Sequence, residues 1–135
     1  MRTSPIRPVA PTSPRCPIRD PYSAGTWIPA AGAPRPLGSA DLSIDRTASW
    51  DSPGGVRYPA AWRIAAASLA LDVSVRPVLA AQELTTNPRY WEGAVDVAGT
   101  RAGSAVSGRG YVELVGYGGE RGAARMTGAP AGLAR

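Results

Sequence analysis

From Asp20 onward, apolar and polar residues alternate in short runs separated by Gly, Pro, Asp and Ser clusters, the pattern of an antiparallel all-β domain. "SAGTWI" is a short candidate strand, followed by the turn-rich "PAAGAPRPLG". In "ADLSIDR", Leu42 and Ile44 share one side, with Asp41, Ser43 and Asp45 on the other. After the loop "WDSPGGVR", "YPAAWRIA" sets Ala60, Trp62 and Ile64 against Ala61 and Arg63. "LALDVSVRPVL" sets Leu69, Leu71, Val73 and Val75 against Asp72, Ser74 and Arg76. Period two and the β-branched Val73 and Val75 favour two strands with a turn near Ala66 to Ser68 over one Ala-rich helix.

The last pair, "RYWEGAVDV" and "SAVSGRGYVELVGY", is joined by "AGTRAG", with glycines at 99 and 103, and reads as a β-hairpin. Gly108 and Gly110 inside its second strand suggest a bulge or bend. About six strands result, fewer than the roughly eight that close a small ligand-holding barrel, so the expected fold is an incomplete antiparallel β-barrel with an open edge. Residues 1–19, with a proline about every third position, read as a disordered Pro/Arg-rich arm, and residues 118–135 as a flexible tail, leaving one domain over 20–117.

Composition narrows the chemistry. All 15 cationic residues are arginine. The arm holds Arg2, Arg7, Arg15 and Arg19 with no acid, whereas Asp20 to Tyr117 has eight Arg against nine Asp and Glu. The domain is nearly neutral, which argues against nucleic acid as a partner. With no histidine and one cysteine, Cys16, the chain has no zinc-type metal site and no Ser-His-Asp or Cys-His relay. Neither "GRGYVE" nor "GYGGER" completes a dinucleotide fingerprint, and no cofactor is expected. The longest apolar run, "IAAASLAL", is too short for a membrane span, and the proline-broken start offers no signal peptide. Location is therefore open.

One constellation has chemical potential: Tyr90, Trp91, Glu92, Arg109, Tyr111 and Glu113 on the final hairpin. A carboxyl in an apolar pocket can act as a general acid while a ring face steadies a developing cation. The same letters also describe ordinary cross-strand pairs on a solvated face. Register decides between them. With Gly99 facing Gly103, Trp91 lies opposite Tyr111 and Arg89 opposite Glu113. One residue of slip instead sets Glu92 against Tyr111 and Tyr90 against Glu113, clustering both acids with both phenols. Arg57, Arg63 and Arg76 read as outer-face residues without a role, and Glu83 as a solvated loop acid.

"GGVRYPAAWRI", "LALDVSVRPVLAAQEL", "RYWEGAVDVAGT" and "GRGYVELVGY", with "DPYSAGTWI" and "LSIDRTASWDSP" upstream, together resemble the C-terminal lipocalin-like domain of the AttH family, predicted secreted hydrolases related to carotenoid 1,2-hydratase (hydroxyneurosporene synthase). The resemblance implies tandem lipocalin-like barrels of which this chain, a truncated fragment, keeps most of the second. It also implies a long apolar ligand, lipid or isoprenoid, bound and in the intact form hydrated or hydrolysed without a cofactor. On that implication Glu113, standing where the hydratase branch has Asp, is the acid, Tyr111 its hydrogen-bond partner and Trp91 the cation-stabilising wall, with Glu92 second choice. The alternatives are a non-catalytic lipid-binding module, associated with an ABC-type exporter and exported as the family often is, or an inactive fragment that self-associates through open sheet edges.

Overall fold

The computed structural model describes residues 5–8 and 22–118. Their regular structure is almost entirely antiparallel strand: β1 Arg7–Pro8, β2 Gly25–Trp27, β3 Arg35–Leu37, β4 Leu42–Asp51, β5 Arg57–Ala66, β6 Leu71–Pro77, β7 Glu83–Leu84, β8 Tyr90–Arg101 and β9 Ser104–Val115. The main sheet runs β1-β4-β5-β6-β8, with β7 continuing along β8 beside β6 and β9 on the other edge of β8; β2 and β3 form a separate ribbon. The sheet is not closed, as expected. Within the expected disordered arm, Arg7–Pro8 bridges Ser49 and Ala48 at the sheet edge, the one place in a sheet that accepts proline. Residues 1–4 and 9–21, which include Cys16, and residues 119–135 of the tail lie outside the described residues.

The alternating segments land where their periodicity put them. On β5, Tyr58, Ala60 and Trp62 are buried on one face, and on β6 Val73 and Val75 join them. Trp50 of β4 stands opposite Tyr58. The outer face carries ion pairs: Arg63 with Asp72, and Arg57 with Asp51 at 2.5 Å, so two of the three arginines read as outer-face residues pair with carboxylates there. Exposed pairs of this kind are screened by solvent and contribute little to stability. The Ala66–Ser68 turn is a short 3-10 segment, Ala67–Leu69, closed by Ala70 in the left-handed conformation.

Three local expectations are corrected. The "PAAGAPRPLG" stretch is not all turn, because Arg35–Leu37 pairs with Gly25–Trp27 and seats Leu37 in the core. No bulge falls at Gly108 or Gly110: β8 and β9 pair without a shift from Tyr90↔Val115 to Arg101↔Ser104. Irregularity sits instead in β4, at Arg46/Ala48 and Ala48/Ser49, and between β6 and β7. The hairpin register matches neither of the two anticipated. Its loop is only Ala102–Gly103, both at positive φ (49° and 78°), the backbone of a two-residue I′ turn. A non-glycine in the left-handed region is uncommon, which is why the sequence pointed to the glycines and not to Ala102.

Gly99 has a different duty. A Cβ there would overlap the Asp72 carbonyl oxygen and lie 2.7 Å from Val73 Cα, so β6 and β8 meet closely only because residue 99 has no side chain. At Gly108 an added Cβ meets nothing within 4 Å. Gly99→Ala is expected to lower unfolding free energy by ~1–3 kcal/mol, as overpacking does. Gly108→Ala, measured beside it by chemical denaturation in dilute solution, is expected to leave stability unchanged or raised. Equal losses would show that the close approach of β6 and β8 is not the cause.

Candidate functional site

Between β6 and β7 the chain leaves the ladder. Pro77 faces Val95 and Glu83 faces Trp91, so Val78 to Gln82 must fit against only Glu92 to Ala94. The surplus backbone is held by Val78 N–H to the Ala94 carbonyl (3.0 Å) and Glu92 N–H to the Gln82 carbonyl (3.2 Å). The Gln82 side chain fills the gap, accepting from Ala94 N–H at 3.2 Å and donating to the Leu79 carbonyl at 2.8 Å. Gly93 makes this possible, since a Cβ at that position would overlap the Gln82 amide. The protruding segment brings the Ala80 carbonyl to Trp91 Nε1, which donates to it at 2.9 Å. It then delivers Glu83 onto the apolar face.

Glu83 is the acid that sequence reasoning set aside, and its side chain is only 7 % exposed. The Tyr58 hydroxyl donates to its Oε1 at 3.0 Å, and Arg89 Nη1 lies 3.6 Å from the same oxygen. A buried carboxylate is costly unless it is paired and hydrogen-bonded; the Tyr58 hydroxyl supplies the hydrogen bond and the Arg89 guanidinium the opposite charge. Around them stand Trp50, Tyr58 and Trp91, the largest fully buried side chains. Trp50 stacks on Tyr58 at 6.1 Å between ring centroids, and Tyr117 tilts against Tyr58 at 5.6 Å. Arg89 runs past Gly54, where a Cβ would overlap its guanidinium; the turn carrying Gly54 is pinned by Ser52 Oγ, which accepts from the N–H groups of Gly54 and Val56 at 3.2 Å. Burial is the main cause that pushes the Tyr58 phenol up to about 12, with the Glu83 hydrogen bond and charge adding to it.

The four residues expected to act together divide between the two faces of the sheet. Trp91 points to the apolar face, beside Tyr58 and Trp50. Glu92 directly faces Glu113, Tyr111 sits two pairs along opposite Ala94, and these three occupy the outer face with Tyr90. Both acids and both phenols thus cluster, as the slipped register anticipated, but on a solvated surface where Tyr111 is 66 % exposed. The Tyr111 phenol is raised by partial desolvation and then by the charge and hydrogen bond of Glu92, with smaller contributions from Tyr90 and Glu113. Arg109 reaches Asp96 at 3.7 Å in the open.

Sequence reasoning missed Tyr58 and Arg89 and misplaced Glu83. A usable signal was the Asn-Pro pair at 87–88, a turn marker that makes a hairpin of Glu83-Leu84 and Tyr90-Trp91. Among the described residues no group of three or more His, Cys, Asp or Glu could hold a metal ion, and no helix is long and apolar enough to cross a membrane.

The AttH-like family profile matches residues 15–117. Among solved structures, the chain is similar to the crystal structure of an AttH-designated protein of Nitrosomonas europaea, with 33% identity and a TM-score of 0.55. The similarity covers 66% of this chain and 28% of that one, so the chain spans under a third of that protein's length. Among curated proteins no match is found.

The Tyr58–Glu83 contact predicts a pH signature. Below pH 10 the phenol is protonated in both folded and unfolded chains, and its contribution to stability is fully present. Between pH 10 and about 12 the unfolded phenol ionises while the folded one does not, so that contribution is lost as pH rises. Tyr58→Phe should abolish the last phase of phenolate absorbance and flatten this alkaline decline. At neutral pH it should cost ~1–3 kcal/mol by removing a donor from a buried carboxylate.

Proposed function

The chain belongs to the AttH-like family, and from that premise we propose that its lipocalin-like sheet supplies one wall of a binding site for a long apolar molecule, a lipid or an isoprenoid. The observation that carries this reading is the composition of the apolar face. Trp50, Trp62 and Trp91 lie there with Val75 and Val95, and the polar group among them is a carboxylate already held by Tyr58 and Arg89. These rings are already packed within the chain and stiffen the wall, so a ligand would meet the partly buried Ile44, Ile64, Val97, Val112 and Leu114 packed against them, while a few fixed polar groups set its orientation.

The same geometry favours binding over hydration chemistry. Protonating an alkene needs a carboxyl that can give up its proton beside a ring that faces the resulting cation. Glu83 stands beside the rings, but the Tyr58 hydrogen bond and the Arg89 charge already engage its Oε1, an arrangement suited to an anchor. Glu113, Tyr111 and Glu92 lie across the sheet from Trp91 and among solvated groups. Binding without turnover is therefore the function proposed for this chain, with Glu83 and Arg89 meeting the polar end of the ligand.

Brominated fatty acid, a heavy-atom quencher of indole emission, tests the proposal on the intact chain. Saturable quenching of most tryptophan fluorescence is expected, because Trp50, Trp62 and Trp91 share the proposed wall and only Trp27 lies on the separate ribbon. Arg89→Met should weaken quenching by the acid more than quenching by a brominated alkane. Emission that stays unquenched by both ligands would remove the binding reading.

A further inference from the structure

β9 is bonded on one side only. Among the described residues it pairs with β8 and with no other strand, which leaves a second edge lined with backbone donors and acceptors. The turn determines which residues supply them. In a two-residue hairpin the residues flanking the loop form a hydrogen-bonded pair, so Arg101:Ser104 and every second pair after it, through Gly93:Val112 to Trp91:Leu114, use the inward groups of β9. Ser107, Arg109, Tyr111, Glu113 and Val115 consequently turn their N–H and C=O groups outward. Natural edges are blunted by proline, lysine or bulges; Ser104–Val115 has none of these. Its large side chains Tyr111 and Val115 are 66 % and 54 % exposed.

The residues along this edge are complementary to themselves. We propose that β9 pairs antiparallel with β9 of a second copy of this chain across a two-fold axis at Tyr111, joining two sheets into one. In that register Tyr111 exchanges both backbone hydrogen bonds with the partner's Tyr111. Arg109 faces the partner's Glu113 and Glu113 faces the partner's Arg109, two opposite-charge pairs generated by one symmetry operation. On the other face, Val112 and Leu114 fall opposite Gly110 of the partner subunit and Gly108 of the partner subunit, where the missing side chains leave room. Those two glycines, which form no bulge within the chain, thereby acquire a role. A slip of one residue sets outward groups against inward ones and loses the hydrogen bonds. A shift of two puts Arg109 opposite the partner's Tyr111 or the partner's Val115 and loses both charge pairs. Arg109 already leans toward Asp96 on β8 at 3.7 Å, an exposed contact too loose to compete strongly.

Sedimentation equilibrium of the full chain, with reductant present so that Cys16 cannot cross-link copies, tests the interface. A dimer is expected for the native sequence. Arg109→Glu and Glu113→Arg each place like charges opposite one another twice, and each should weaken association roughly tenfold or more. The double variant restores opposite charges in reversed order and should restore the dimer. Tyr111→Pro provides a second check: residue 111 pairs with Ala94 at a non-hydrogen-bonded position, so proline spares the β8 ladder and deletes the donor at the axis. Far-UV circular dichroism confirms that each variant is folded. A native chain that stays monomeric, single charge variants that associate as well as the native chain, or a double variant that remains monomeric would each overturn the proposal.

Discussion

Five residues, Val78 to Gln82, packed against three, Glu92 to Ala94, organise the polar chemistry of the apolar face. A strand running straight from β6 into β7 would alternate without interruption and leave Glu83 at whatever face parity gave it. The two surplus residues keep Glu83 on the face that Val73 and Val75 share, but lift the chain out far enough for Ala80 to meet Trp91 and for Glu83 to reach Tyr58. The detour depends on Gly93, because the ladder bonds lost there are replaced by the Gln82 amide, which needs the volume a side chain at 93 would occupy. One absent Cβ therefore governs the position of a carboxylate ten residues earlier in the chain.

The buried carboxylate in turn constrains its surroundings. An anion on an apolar face is tolerated only with its partners held in place, and the donor Tyr58 and the cation Arg89 are both fixed by parts of the chain distant in sequence. Tyr58 is locked by Trp50 and Tyr117 on either side, and Arg89 lies in a slot beside Gly54. The Ser52 turn, the start of β5, the β7–β8 hairpin and the end of the described chain are thereby tied to a single charge. Replacing that triad with apolar residues of equal volume would be neutral or stabilising in many proteins, so its presence points to specificity more than to stability.

The fold was legible in the sequence wherever alternation was undisturbed. Leu71 to Val75 and Tyr58 to Ile64 show their buried face directly, because a half-buried antiparallel strand has few other ways to be written. The site was much less legible, for two physical reasons. Register depends on the turn, and Ala102 at positive φ carries none of the chemistry that marks a two-residue turn. A two-residue detour interrupts the visible alternation, so a run such as "VLAAQEL" looks like a loop, and its acid looks solvated when it is buried. Family resemblance was visible because it rests on motifs, which survive both ambiguities. Residue roles were not, because they depend on which face each motif presents.

Parity also explains why one hairpin carries two unrelated chemistries. Along β8 the odd positions, Trp91 and Val95, enter the core while Tyr90, Glu92 and Asp96 face outward; on β9 Val112 and Leu114 pack inward while Arg109, Tyr111 and Glu113 do not. Adjacent letters in "YWEG" and "GYVEL" thus belong to opposite surfaces. The inward set has its partners within the chain, as its burial shows. The outward set of β9 alternates cation, ring and anion at spacing two, along the same residues whose backbone groups face the open edge. An isolated polar face has no requirement for that order, since solvent accepts charges in any sequence. A strand that meets its own reversed copy does require it, because only a sequence whose charges change sign about its midpoint presents opposite charges after a two-fold rotation.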